Sequence, residues 1–241
     1  MGKSPPAAGD VWLSYFISVL PQFRHRIVTA SISRMMTDIA REQGACTTSV
    51  IPSPERAKFM AFSRHFWRVQ PNRLIYPQAI APTVDLYRGP DGQIDVMALV
   101  ADETLTAGYV DRRSYSPAID AAIARLRQRN GGWPVTGSEG AVEMLALGRV
   151  DYTFGYPFEL RYLLHRRGQG MALASAGALG DPDTVEARVV CSRTPTGRAL
   201  LAALDAALDA APPPPATLRA SYRWVHPDEL SLVLPQWQQK P

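Results

Sequence analysis

Cysteine is scarce in this chain, and so is lysine. Cys46 and Cys191 are the whole cysteine complement of 241 residues, which excludes a CxxC redox or metal motif and a disulfide-dense scaffold. One disulfide between them and two buried thiols both stay open. The four histidines, His25, His65, His165 and His226, share no ligand spacing with one another or with the cysteines, so no metal is expected. Lysine supplies three of the 26 basic side chains and arginine the other 23. These arginines are scattered, in clusters no longer than Arg112-Arg113 and Arg166-Arg167, and a formal charge of +4 spread in this way makes no stripe that tracks phosphates. Nucleic-acid binding is therefore not expected.

Long hydrophobic runs are missing as well. The stretch "VWLSYFISVL" is broken by polar residues well short of the roughly 20 apolar residues that cross a bilayer, so no membrane insertion is expected. The opening "MGKSPPAAG" has no apolar segment of signal-peptide type, and the chain is read either as cytoplasmic or as a mature or truncated form. No Ser-His-Asp set and no Gly-rich phosphate loop stands out, and no cofactor is expected.

What is present is a foldable chain. A hydrophobic content of 46% with 20% charged residues is that of a globular protein, and the length suffices for one large domain or two small lobes. Helix and strand signals alternate along it. Asp10 caps a helix that Pro21 stops, a strand-like "HRIVTAS" follows, and Ser33 caps a helix ended by Gly44. The strand "ACTTSVI" then runs into the turn Pro52-Ser53-Pro54-Glu55-Arg56, and "NRLIYPQAI" reads as a strand. After a looser stretch over 83–105 the pattern restarts. Strands at "AGYV", "VDYTFGY", "MALASA" and "EARVVCSR" are separated by helices, with Pro117 and Pro157 just inside two helix starts. A helix from Thr194 or Thr196 carries leucines at 200, 201, 204 and 208 and is stopped by Pro212–Pro215. Such alternation argues for α/β architecture, and two runs of it argue for two lobes.

Within this pattern Arg56 has two readings. It reads an anion, or it closes its turn by bonding Glu55 or a nearby carbonyl.

Four stretches, "ACTTSVIPSPERAKFMAFS", "AGYVDRRSYSPAID", "LALGRVDYTFGYP" and "RVVCSRTPTGRALLAALDAAL", together resemble the bacterial extracellular solute-binding proteins of the amino-acid type, family 3. The resemblance runs in order over residues 10–210, and the Pro-Glu-Arg turn is its most specific part. It implies the type II periplasmic-binding fold, with two α/β lobes, each a mostly parallel sheet flanked by helices, and a ligand cleft between them. Lobe 1 would comprise 1–99 with 187–241 returning to it, and lobe 2 100–186. The return strand would bring Cys191 into the sheet of Cys46, which implies a disulfide between them.

The resemblance also implies a ligand set. Arg56 would pair with a ligand carboxylate, a role that suits a planar, bidentate guanidinium, and Ser49 would join it. Opposite them, Arg113, Ser114 and Tyr115 precede a helix start at Ser116, where free N–H groups favour an anion. Trp67, with Phe66, supplies an aromatic wall or packs beneath the lobe. Two departures stand out. Tyr156 occupies the place where such proteins put an acid for the ligand ammonium, with Glu159 as the nearest substitute, and the usual first strand is not found ahead of "KSPPAAG".

The leading expectation is a non-enzymatic periplasmic protein, its signal peptide removed, that closes on a small anionic or amino-acid-like solute. It would serve an ABC permease or a sensor kinase. The alternatives are an enzyme on the same scaffold, of the cyclohexadienyl-dehydratase type with Glu159 or Asp151 as acid or base, and a degenerate interaction module with no small ligand.

Overall fold

The computed structural model describes residues 5–30, 32–111 and 113–233. They divide into two compact units. Unit 1 holds the described residues up to Val69, Val185–Arg223 and those from Pro227, whereas unit 2 holds Gln70–Thr184 and Trp224–His226.

The chain first builds unit 1 with α1 (Ala8–Ser18), α2 (Ile32–Arg41), β1 (Cys46–Val50), α3 (Pro54–Ala57), β2 (Met60–Phe62) and β3 (Trp67–Val69). Unit 2 follows with β4 (Arg73–Pro77), α4 (Ala81–Val84), α5 (Val96–Leu99), β5 (Ala107–Val110), α6 (Pro117–Gln128) and β6 (Trp133–Val135). It is completed by α7 (Gly137–Ala146), β7 (Tyr152–Gly155), α8 (Pro157–Arg166) and β8 (Leu173–Ala176). The return to unit 1 supplies β9 (Val185–Ser192), α9 (Pro195–Ala210), α10 (Pro215–Ser221) and α11 (Leu230–Val233).

In unit 1, β9 is the strand on which the others assemble, pairing with β1, β2 and β3. Period-2 alternation along β9 aims Ala187, Val189 and Cys191 into one cluster and Val190 into another. The larger cluster takes Trp12 and Phe16 from α1, Leu20 from just after it, and Leu201, Leu204 and Leu208 from α9, spacings that put the residues of each helix on one face. Thr194 caps α9 by accepting from the Gly197 N–H at 3.2 Å. Glycine is required there, because a Cβ on Gly197 would come within 2.0 Å of the Ser192 carbonyl oxygen.

In unit 2 the strand order is β6-β5-β7-β4-β8. Its β4 is buried on both faces: Leu74 and Tyr76 join the core with Ile119, Ile123, Tyr152 and Phe154, while Ile75 packs with Val142, Leu145 and Leu160. A strand covered on both sides needs apolar residues in succession, which "RLIYP" supplies.

Several sequence expectations change here. Asp10 does not cap the first helix but lies in the first turn of α1, whose N-cap is Ala7. The sheets were expected to be mostly parallel. In unit 1, however, β9 runs antiparallel to β1, β2 and β3, because it re-enters the unit against the direction of the strands it joins. Unit 2 is mixed, with β5 parallel to β6 and β7 and β4 antiparallel to β7 and β8.

The first crossing falls at 69/70 rather than 99/100, and the return at 184/185 rather than 186/187. Val84, Ile94, Val96, Leu99 and Val100, from the loose-looking stretch, are core residues of unit 2. Finally, residues 24–30 form no strand. They pair with none of the described strands, and Ile27 and Val28 are exposed.

Candidate functional site

Strands β5, β6 and β7 run parallel, so the segments that follow them leave the sheet at one edge. Each leads into a helix: α6 after β5, α7 after β6 and α8 after β7. Carboxyl edges of parallel strands, with helix N-termini converging on them, are where α/β folds place ligands.

Arg113, in the segment after β5, ties this edge together. One Nη donates to Ser138 Oγ at 3.0 Å in the first turn of α7, and the other donates to Asn72 Oδ1 at 2.8 Å just before β4. Glu159, in the first turn of α8, lies 3.6 Å from the same guanidinium. The Arg113 side chain is only 9% exposed, while that of Glu159 is 36% exposed. Two tyrosine faces complete the enclosure, with the guanidinium carbon 5.1 Å from the Tyr115 ring centroid and 5.2 Å from that of Tyr156. Each such cation–π contact is worth about 0.5–2 kcal/mol, the upper end when desolvated.

The rings are themselves held. Tyr115 Oη accepts from the Val110 N–H at 2.9 Å, and burial pushes its phenol up from the ordinary value, with Arg113 opposing. Tyr156 stacks on Phe158 at 5.4 Å. Asp120 fixes the loop by accepting from the Tyr115 N–H at 2.9 Å and from Ser114 Oγ at 3.0 Å. Ser116 caps α6 through the Ile119 N–H at 3.3 Å, and its hydroxyl also donates to Asp181.

The electrostatics at this edge run against simple stability. A cation at a helix N-terminus meets the positive end of the dipole, yet Arg113 reaches the first turns of both α7 and α8. Neither Thr136 nor Tyr156, their N-cap residues, makes a side-chain cap. Positive charge is therefore concentrated there, with Glu159 as a partial counter-charge, and the edge is suited to an anion.

Asp181 gives a prediction of its own. Burial raises its carboxyl above the ordinary range, opposed by the Ser116 bond. The folded protein thus holds that proton more tightly than the unfolded chain does. Its contribution to folding is complete below about pH 4 and is lost as pH rises through the raised value. Asp181→Asn is expected to exceed the native protein in urea midpoint at pH 7 and to lose that advantage near pH 3. A midpoint difference that does not change with pH would refute the assignment.

The structure thus brings together Arg113, Tyr115, Tyr156 and Glu159 from the sequence set, while the Ser114 hydroxyl is occupied by Asp120. Asn72 and Ser138 were not foreseen, since nothing in "QPNR" or "GSEG" signals a contact with a residue so distant in sequence. Asp151, one of the two acids offered for catalysis, accepts from the Thr106 N–H at 2.7 Å and so ties the start of β7 to that of β5.

The other members of the set lie in unit 1. Ser53 caps α3 through the Arg56 N–H at 3.2 Å, and an Arg56 Nη donates to the Ile51 carbonyl at 2.6 Å. Ser49 sits at φ 60° where the β1–β9 register shifts between Thr47 and Val50. Trp67 is 2% exposed, its indole stacked on Trp12 at 5.5 Å, so it is a core residue and not a pocket wall. Phe66 lies under the Arg188 guanidinium at 5.2 Å. Cys46 and Cys191 face each other across β1 and β9 and are joined as a disulfide. Among the described residues, no helix is long and apolar enough to cross a membrane.

No family model matches the sequence, and no curated protein matches it. Solved structures do match in fold. One is the "probable amino-acid ABC transporter extracellular-binding protein ytmK" of Bacillus subtilis, at TM-score 0.60 and 14% identity over 92% of this chain and 89% of that one. Another is the periplasmic VFT2 domain of BvgS from Bordetella pertussis, at TM-score 0.54 and 19% identity over 90% and 83%. A third is the GluR0 ligand-binding core in complex with L-glutamate, at TM-score 0.58 and 14% identity over 92% and 90%. The chain has the two-lobed α/β fold of the periplasmic-binding type that these proteins share.

Proposed function

We propose that this chain is a solute-binding protein that holds a small anionic or amino-acid-like organic ligand for uptake through an ABC permease or for signalling through a sensor kinase. The reading rests on Arg113, a nearly buried guanidinium set between two tyrosine rings at the N-terminal ends of α7 and α8. A charge kept at the positive ends of two helices is costly for folding alone and useful for attracting a carboxylate. Arg56 is the second candidate contact. Its bond to the Ile51 carbonyl uses one of the guanidinium's five N–H donors.

Binding rather than catalysis is favoured by the engagement of the two acids. Glu159 is beside Arg113, and Asp151 ties the start of β7 to the residue before β5, so each of the two acids offered for catalysis already has a partner. The disulfide supports an oxidising compartment such as the periplasm.

The test is thermal unfolding in the presence of amino acids, dicarboxylates and aromatic acids. A ligand at a hundred times its dissociation constant adds about 2.7 kcal/mol of stability. Arg113→Lys, which keeps the charge but loses the planar fork, is expected to remain folded by circular dichroism and to weaken the response at least tenfold. Arg56→Ala is expected to do the same. Native protein that answers to none of these compounds would favour the interaction module.

A further inference from the structure

Gln70 is out of keeping with its surroundings. It is 2% exposed, and neither its amide nitrogen nor its amide oxygen has a hydrogen-bond partner among the described residues. A glutamine carboxamide carries two N–H donors and an oxygen that accepts twice. Folded proteins satisfy nearly all such groups when they bury them, because an unmet buried group forfeits its bonds to water. A carboxamide buried whole and unmet marks a position where stability has been given up.

The chemistry next to it gives that concession a purpose. Pro71 restricts Gln70 to extended backbone. Asn72, two residues along, is 3% exposed, and its Oδ1 accepts from Arg113 at 2.8 Å. One short segment therefore carries two buried carboxamides into unit 2. One is consumed in holding the cation of the proposed site, and the other is open.

We infer that Gln70 is a specificity-determining residue of that site and reads the nitrogen of an amino-acid ligand. Its Nε2 donates to a carboxylate oxygen of the ligand, and its Oε1 accepts from the ligand's ammonium. A carboxylic acid lacking nitrogen meets only the donor half and leaves the oxygen unpaired. This bears on Tyr156, which stands where an acid for the ammonium was expected: a neutral amide oxygen, with Glu159 close to Arg113, takes over the task without a second buried carboxylate. The inference rests on the solute-binding reading above and narrows its ligand class.

The experiment compares native protein, Gln70→Met and Gln70→Glu by thermal and urea unfolding. Each is studied alone and with the twenty L-amino acids and the deaminated acid of each responding skeleton, such as glutarate for glutamate. Methionine has nearly the same volume and no amide. Gln70→Met alone is expected to match or exceed the native urea midpoint, since an unmet group has been removed, and to bind the responding amino acid about tenfold or more weakly. Gln70→Glu, which keeps an acceptor for the ammonium but sets its second oxygen against the ligand carboxylate, is expected to bind the amino acid more weakly than native protein. Native protein is expected to prefer the amino acid over its deaminated counterpart, and Gln70→Met to lose that preference.

A lowered midpoint for free Gln70→Met would mean that the amide is satisfied in the unliganded fold, and it would overturn the inference. An unchanged preference in Gln70→Met would overturn it too, leaving the solute-binding reading intact. Native protein that responds to none of the amino acids would remove that reading and this one together.

Discussion

Trp67→Ala is expected to destabilise unit 1 by about 3–5 kcal/mol, the range for removing a large aromatic side chain from a close-packed core. The indole is 2% exposed and lies against two other rings, Trp12 at 5.5 Å and Phe16 at 5.9 Å. Trp12 also stacks on Phe16 at 5.6 Å, so the three rings hold the first helix of the unit to the short strand β3. Truncation removes the buried area of one of the two indoles and leaves a void that the flanking rings can fill only by leaving their stacked geometry. Guanidinium unfolding followed by circular dichroism measures the loss. Had Trp67 been a pocket wall, the mutation would cost under about 1 kcal/mol of stability and abolish ligand-induced stabilisation. The opposite pattern is expected: a large loss of stability, with the surviving folded fraction still responding to ligand.

Much of this fold can be read from local chemistry. Ser116 caps α6 and Thr194, one of the two threonines offered, caps α9, while Pro117 and Pro157 open α6 and α8 where a missing N–H costs nothing. Such signals act over a few residues, so they survive without knowledge of the tertiary fold.

Expectations that failed depend on partners remote in sequence. The segment at 25–30 has β-branched residues, but strand formation needs a neighbouring ladder, and without one Ile27 and Val28 remain exposed. Strand direction in unit 1 is set by β9, which arrives after all of unit 2 has been built. Apolar residues over 83–105 lack helical or strand period because short turns of helix and bends carry them into the core.

The site divides in the same way. Arg113 and Tyr115 share one short segment that the family resemblance pointed to, and Tyr156 was singled out because it departs from the family pattern. Asn72, Ser138 and Gln70 had no such marker. Their significance lies in a hydrogen bond accepted from a distant arginine, or in a bond not made at all.

Removing the disulfide is the second change expected to be costly. Cys46 and Cys191 are 145 residues apart in sequence, and the loop they close contains the whole of β4 to β8. In the chain-entropy account a loop of this size restrains the unfolded ensemble by about 5 kcal/mol, whereas measured losses for native bridges are typically about 2–4 kcal/mol. The local structure argues for a substantial loss here. β1 lies at the end of its sheet's strand order and its ladder with β9 is irregular, with a register shift between Thr47 and Val50 and Ser49 in the left-handed region. A strand held by few regular hydrogen bonds relies more on its covalent tie. Cys46→Ala with Cys191→Ala is therefore expected to lower the unfolding free energy of unit 1 by about 2–4 kcal/mol, and dithiothreitol to produce a similar loss in the native protein. Unit 2 contains neither cysteine, so its core should still form. Hydrogen exchange would reveal the difference, as faster exchange of the β1 and β9 amides while those of β4 and β7 keep their protection. Equal loosening of both units would mean that they unfold as one cooperative body. No change in either would mean that the packing of α1 and α9 on β9 already holds the edge strand, making the bridge redundant for stability.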